Sequence, residues 1–244
     1  MITSKQNQLI KLIRSLSDKK TRDEHSLFIV EGVKSVKEAL ISNFLVEQVL
    51  LTEKYANSLD GYIKDVKTEL ITPELMKYVS TEVTPQGVLA LVKKPNFACK
   101  EQIASAVFLD GVSDPGNVGA IIRTAVACGI TDIFITPDSA DPYSQKAVRA
   151  SMSGIFKCKI YLTLREEVKS IIRVPLIVAD MDGENVFTIK NNEEFCLIIG
   201  NEAHGVSTEL LSLADKVVSI PMQNGVESLN ASVSAGILMY ALKR

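Results

Sequence analysis

Tryptophan is absent from the 244-residue chain, and histidine occurs only at His25 and His204. The cysteines are Cys99, Cys128, Cys158 and Cys196, with no C-x-x-C pair among them. A zinc site needs a closer cluster of ligands, so no metal is expected. Cys128 and Cys196 sit inside apolar segments and read as buried free thiols. No apolar run approaches the roughly 18–20 residues that cross a bilayer. Residues 1–5 lack the basic-then-apolar pattern of a secretory signal, so a cytoplasmic protein without membrane association is expected. Neither a strict G-x-G-x-x-G nor a G-x-x-x-x-G-K-[ST] loop occurs, which argues against a Rossmann dinucleotide site or an ATP site.

The composition is 46% hydrophobic and 23% charged, ordinary for a globular protein, and the length suits one large or two modest domains. A net charge of −2 argues against a generically sticky nucleic-acid binder. The charge is unevenly placed. Residues 1–22 hold the basic groups Lys5, Lys11, Arg14, Lys19, Lys20 and Arg22 against one acid, Asp18, whereas residues 105–244 carry 12 basic and 16 acidic groups. The basic arm is either a handle for a polyanion or a solvated helix face.

Periodicity divides the chain in two. In the first half, Leu9, Ile10, Leu12, Ile13 and Leu16 predict an amphipathic helix over 4–17. Strands are expected at 27–30, 46–51 and 87–92, with helices at 33–41 and at 73–79, where Pro73 occupies the first turn. Residues 63–70 read either way. The polar, proline-containing stretch Lys93–Asn96 leads into a linker expected at 96–104, between domains at 1–95 and 105–244. The second half alternates strands and helices, which implies a parallel α/β sheet. Strands are expected at 106–109, 133–135, 159–162, 175–179, 195–200 and 217–220, and helices at 117–128, 144–152, 166–172 and 229–242.

Three of these strands end abruptly in small and polar residues, at 110–119, 200–206 and 221–232. In open α/β sheets, ligands bind beyond the carboxyl ends of strands, so the three corners suggest one composite site. Asn117 reads as the N-cap of its helix. Arg123, inside an apolar helix, needs an anionic partner, either Glu202 or an incoming phosphate. Glu202 reads as a base, an anchor for Arg123 or a helix cap. His204 reads as a general base or an ordinary loop residue. Ser228 and Asn230 can each cap the last helix, whose Ala231, Ser232, Ser234, Ala235 and Gly236 leave one side thin.

Taken together, Asn117-x-Gly119-x-x-x-Arg123-Thr-Ala125, Gly200-Asn-Glu202-x-x-Gly205 and Ile220-Pro-Met-x-x-Gly225-x-x-Ser228-Leu-Asn230-x-Ser232 resemble the three-motif signature of the SpoU/TrmH RNA ribose 2′-O-methyltransferases, of the SPOUT superfamily. The first half, with Phe28-x-Val-Glu31-Gly32 and Gln86-Gly-Val88, resembles the substrate-binding domain of that family. The resemblance implies an N-terminal ribosomal-protein-like α/β domain and a C-terminal α/β domain threaded into a deep trefoil knot. It implies S-adenosylmethionine held at Gly200, Ile220 and Leu229, and a homodimer formed through the C-terminal domain. Arg123 would be the central catalytic residue, supported by Asn117, Glu202, Ser228 and Asn230. Ser144-x-Lys146-x-x-Arg149 resembles a basic stretch of relatives. Lys146 and Arg149, with Lys11, Arg14, Lys19, Lys20 and Arg22, would contact RNA. The implied substrate is structured RNA, ribosomal RNA ahead of transfer RNA. Rival readings are a noncatalytic RNA-binding or ribosome-assembly factor on the same fold, and resistance methylation against a ribosome-targeting antibiotic.

Overall fold

Asn7 sets the start of α1 (Gln8–Ser15), its side chain accepting from Leu9 N at 2.9 Å, so the helix is shorter than the 4–17 expected. A second helix, α2 (Lys19–His25), follows without any apolar periodicity to announce it. Asp18 caps α2, and Ser26 ends it in the left-handed region at φ 52°. The α1–α2 corner is held by Arg22, which is 4% exposed and donates from Nη1 to Leu16 O and Ser17 O, each at 2.8 Å. Here one expectation needs correction. Arg22 is buried against backbone carbonyls, where a phosphate contact would require exposure, whereas Lys11, Arg14, Lys19 and Lys20 all face solvent.

The first unit continues with β1 (Leu27–Glu31), α3 (Val33–Ile41), β2 (Val46–Leu51), β3 (Lys67–Leu70), α4 (Pro73–Val79) and β4 (Val88–Lys93). The four strands lie in the order β1-β4-β2-β3, with β4 antiparallel to β1 and β2, and β3 parallel to β2. Ile10, Ile13 and Leu16 of the first helical stripe, Leu75 and Val79 of α4, and Ile29, Leu50 and Leu89 of the sheet form one buried cluster. The apolar face of α1 thus finds its partner in the sheet, the usual source of stability for so short a helix.

The remaining elements are β5 (Ala106–Asp110), α5 (Pro115–Ala127), β6 (Asp132–Ile135), α6 (Gln145–Ala150), β7 (Lys159–Leu162), α7 (Val168–Ile171), β8 (Leu176–Asn185), β9 (Cys196–Gly200), α8 (Thr208–Ser212), β10 (Lys216–Ser219) and α9 (Ala231–Leu242). Their six strands form one parallel sheet in the order β10-β8-β9-β5-β6-β7. Burial on both faces explains the continuous apolar runs of β5 and β9. The order reverses direction between β5 and β9, which are paired from Ala106↔Cys196 to Asp110↔Gly200. Such a switch point opens a crevice beyond the strands' carboxyl ends.

These elements come from a computed structural model that describes every residue of 1–244 except Lys64 and Lys100. Lys64 falls in the stretch 63–70 and Lys100 in the expected linker, and to that extent those expectations lie outside the described residues. Compactness divides the chain into Met1–Asn96 with Tyr143–Phe156, and Phe97–Pro142 with Lys157–Arg244. The expectation of a single cut therefore misses Tyr143–Phe156, which packs within the first unit. The Tyr143 ring lies 5.0 Å from Phe28, and the Phe156 ring 5.3 Å from Phe44. Gln145 Nε2 donates to Glu31 Oε1 at 3.2 Å, and Arg149 pairs with Glu82. Among the described residues, no helix is long and apolar enough to cross a membrane.

Candidate active site

Two of the three expected corners, those after β9 and β10, meet around one cavity of about 1080 Å³, whereas the 110–119 corner lines none of it and is joined to them only by hydrogen bonds. Its walls are residues 179–181 within β8, 199–205 from the end of β9 and the following loop, 218–222 from the end of β10 and the following loop, and 227–231 with Ser234 and Leu238 leading into and along α9. All three residues expected to hold the cofactor, Gly200, Ile220 and Leu229, line it. Gly200 is there because nothing larger fits: a Cβ at this position would lie 2.2 Å from Gly205 C and from Val206 N. The loop folds back on its own strand through paired backbone hydrogen bonds between Asn201 and Gly205, each 2.9 Å.

Asp114, rather than Asn117, caps α5. Pro115 occupies the first turn, and Asp114 Oδ1 accepts from Asn117 N at 3.0 Å. Asn117 is thereby moved inside the helix, and its side chain is free for another use. Its Nδ2 donates to Glu202 Oε1 at 2.8 Å, and its Oδ1 accepts from Asn230 Nδ2 at 3.0 Å. Asn117, Glu202 and Asn230, one from each motif, are thus joined in a single hydrogen-bonded chain. Asn230 also caps α9, its Oδ1 accepting from Ser232 N at 2.9 Å. Ser228 lines the cavity, exposed and outside the helix, and does not act as the cap.

Glu202 is an anchor for the 113–117 corner. Its Oε2 accepts from Ser113 N at 2.9 Å and Ser113 Oγ at 2.7 Å, and its Oε1 also accepts from Asp114 N at 3.1 Å. Partial burial raises its pKa, but the donors from Asn117 and Ser113 outweigh that and bring the carboxyl down to about 2. A carboxylate so fully satisfied is a poor proton acceptor near neutral pH. Because its folded-state pKa lies below the ordinary 4.5, the ionised anchor stabilises the fold above that value, and the contribution is lost as pH falls from 4.5 through about 2. Glu202→Gln is therefore expected to flatten the loss of Tm across that acid interval. Thermal melts at stepped pH check this, and parallel curves for variant and parent would contradict it.

Arg123 is not part of this chain of bonds. It is exposed on α5 and, among the described residues, makes no hydrogen bond or ion pair. At 100° per residue, it sits about 120° around the helix from Asn117. Of the two partners expected for Arg123, Glu202 is therefore excluded, since it is occupied by the 113–117 corner. His204 is an exposed loop residue whose backbone N donates to Asn201 Oδ1 at 3.2 Å. Lys146 and Arg149 are exposed on α6 in the first unit. Among the described residues, no cluster of histidine, cysteine and carboxylate side chains could hold a metal ion.

Two contributors escaped the sequence analysis. Ser113 supplies two of the donors to Glu202, and Asn201 Nδ2 donates to Gly111 O at 2.8 Å, tying the second corner to the first. Asn201 adjoins Gly200 and Glu202, already singled out, and Ser113 lies within the 110–119 corner, so a polar residue near a strand end was the available signal.

Fold and cavity define an open parallel α/β domain with a ligand site at the carboxyl ends of β9 and β10. A sequence profile of the SpoU rRNA Methylase family matches residues 104–240, and one of the MRM3-like substrate binding domain matches residues 7–90. The chain is 30% identical to the 23S rRNA (guanosine(2553)-2'-O)-methyltransferase RlmP of Bacillus subtilis (strain 168), over 99% of this chain and 98% of that protein. It superposes with a TM-score of 0.88 on an AdoMet-bound rRNA methyltransferase from Sinorhizobium meliloti, at 27% identity over 99% of this chain and 96% of that one. The TM-score is 0.83 with the SpoU methyltransferase AviRb from Streptomyces viridochromogenes in complex with AdoMet, at 27% identity over 98% and 97% of the two chains. The chain belongs to the SpoU rRNA methylase family.

Proposed function

We propose that this protein transfers a methyl group from S-adenosylmethionine to a ribose 2′-hydroxyl of ribosomal RNA. The observation that carries the reading is the Glu202–Asn117–Asn230 chain, which locks three loops together beside a cavity large enough for the cofactor. The residues present suit that group. Ile199, Val218, Ile220 and Leu238 offer apolar wall, and the strand ends at 199–205 and 218–222 offer backbone donors and acceptors. When bound, S-adenosylmethionine supplies an electrophilic methyl carbon on a sulfonium. The chain's own task is to place and assist a weakly nucleophilic hydroxyl. Arg123, permanently charged, stabilises the developing alkoxide and holds the adjacent phosphate, and the hydroxyl proton passes to solvent water. Glu202, Asn117 and Asn230 keep the three corners in register, and Ser228 shapes the cavity wall.

The arrangement is a homodimer with the active site beside the subunit interface. Among the described residues Arg123 has no partner of its own chain, and α9 leaves Val233 and Tyr240 exposed beside its small residues, which support this reading. The knotted path belongs to the same reading. It is supported by the tight backbone approach at Gly183, where a Cβ would lie 2.5 Å from Val218 C, and by that at Gly200. The first unit, taken as the RNA-binding part, presents Lys11, Arg14, Lys19 and Lys20 to solvent. The enzyme works in the cytoplasm, on the RNA found there.

Methyl transfer from tritiated S-adenosylmethionine into separate pools of ribosomal and transfer RNA, from cells lacking this protein, tests the proposal. Label in the ribosomal pool, recovered as an alkali-resistant dinucleotide, is expected. Label confined to transfer RNA would move the substrate, and failure to bind the cofactor would leave a noncatalytic RNA-binding factor. Charge reversal at Lys11, Arg14, Lys19 and Lys20 together is expected to weaken RNA binding and to reduce the slope of log K against log salt by up to about 3. A salt titration with an unaltered slope would show that this face does not meet phosphate.

A further inference from the structure

Asp110 ends the otherwise apolar β5 with a carboxylate that is only 2% exposed. A charge so placed needs donors. Its Oδ1 accepts from Arg165 Nε at 2.6 Å, and its Oδ2 accepts from Ser207 N at 2.7 Å. Arg165 opens the 3-10 turn Arg165–Glu167 beyond β7, and its Nη2 reaches Asp138 Oδ2, beyond β6, at 2.7 Å. One guanidinium therefore ties together the carboxyl ends of β5, β6 and β7. Asp110 passes the connection to Ser207, the N-cap of α8 and the last residue of the loop that begins at Gly200. That loop carries Asn201, which holds Gly111 O, and Glu202, which holds the 113–117 corner. Gly111, in the left-handed region at φ 70°, lies between these attachments.

We infer that Arg165 is a positioning residue for methyl transfer, fixing the 200–207 loop through Asp110 and so setting Glu202 at the cavity wall and, through it, Asn117. The inference rests on the proposed reaction. Arginine is required because its rigid fork serves two carboxylates at once from Nε and Nη2, whereas a lysine ammonium lacks that fork. Arg165 itself is not among the residues lining the cavity, and small misplacement of a catalytic arrangement is costly in rate.

The test uses the full chain and compares Arg165→Met, Arg165→Lys, Glu202→Gln and the Arg165→Met/Glu202→Gln double variant. Turnover, KM for RNA, Tm and amide exchange across 200–208 are read for each. Arg165→Met is expected to lower kcat about tenfold or more with KM for RNA unchanged, and Arg165→Lys to recover part of the loss. The double variant should lose little beyond the worse single, because both residues act along one path. Amide exchange across 200–208 should quicken in Arg165→Met. A lowered Tm with kcat intact, a raised KM with kcat intact, or fully additive losses would each overturn the inference. If Arg165→Met does not fold, Arg165→Lys and Asp138→Asn carry the same split, with kcat lowered and KM held. A parent protein that transfers no methyl, while exchange still quickens in the variant, would sink the reaction and leave the loop anchor standing. Unchanged exchange as well would sink both.

Discussion

Replacing Arg123 by alanine is expected to reduce methyl transfer by at least about a hundredfold to a thousandfold, the usual cost of losing a charge-stabilising donor at a reacting oxygen. Cofactor affinity should stay within a few-fold, because Arg123 is absent from the cavity wall. The fold should also hold. Arg123 is exposed and bonded to nothing described in its own chain, so its removal strands no buried partner. Single-turnover transfer and calorimetric binding of S-adenosylmethionine, measured side by side, separate these effects. Unchanged turnover would remove Arg123 from the chemistry altogether. Lost cofactor binding would place it at a different step from the one proposed.

Gly200→Ala is expected to act on the opposite half of the machinery. The added methyl would lie 2.2 Å from Gly205 C and Val206 N and 2.4 Å from Gly205 O. All three are backbone atoms that cannot swing aside as a flexible side chain would. The loop must open, and with it the cavity wall from 199 to 205. A stability loss of about 3 kcal/mol, the upper end for overpacking, is expected. Cofactor affinity should fall by about a hundredfold or more, equivalent to roughly 3 kcal/mol. Thermal melts and cofactor titration check the two effects. Full cofactor affinity in Gly200→Ala would mean that the folded-back loop is not part of the binding site.

Gly200, Ile220 and Leu229 were legible only through the family resemblance, and all three line the cavity; the strand pattern itself marked the end of β9 at Gly200 and of β10 near Ile220. What was not legible is the pairing among side chains. Arg123 and Glu202 looked like partners because one is basic and the other acidic. The structure satisfies Glu202 with neutral donors, since Asp114 takes the cap position and frees Asn117 to reach it. Nor did hydropathy mark α2, whose sequence is polar along its whole length; it is held by the buried guanidinium of Arg22. The basic count of residues 1–22 treated Arg22 as equal to its neighbours, because composition does not distinguish a structural cation from an exposed one. The strands of the parallel sheet were readable from their apolar runs, whereas their spatial order is set by pairings such as β5 with β9, far apart in sequence.

The rings of Tyr143 and Phe156 that cover Phe28 and Phe44 come from a stretch nearly fifty residues beyond Asn96. A chimera that exchanges residues 1–96 with those of a relative would thus import a foreign aromatic face and leave its native cover behind. Exchanging this unit intact means moving Tyr143–Phe156 along with the N-terminal segment, as one discontinuous cassette.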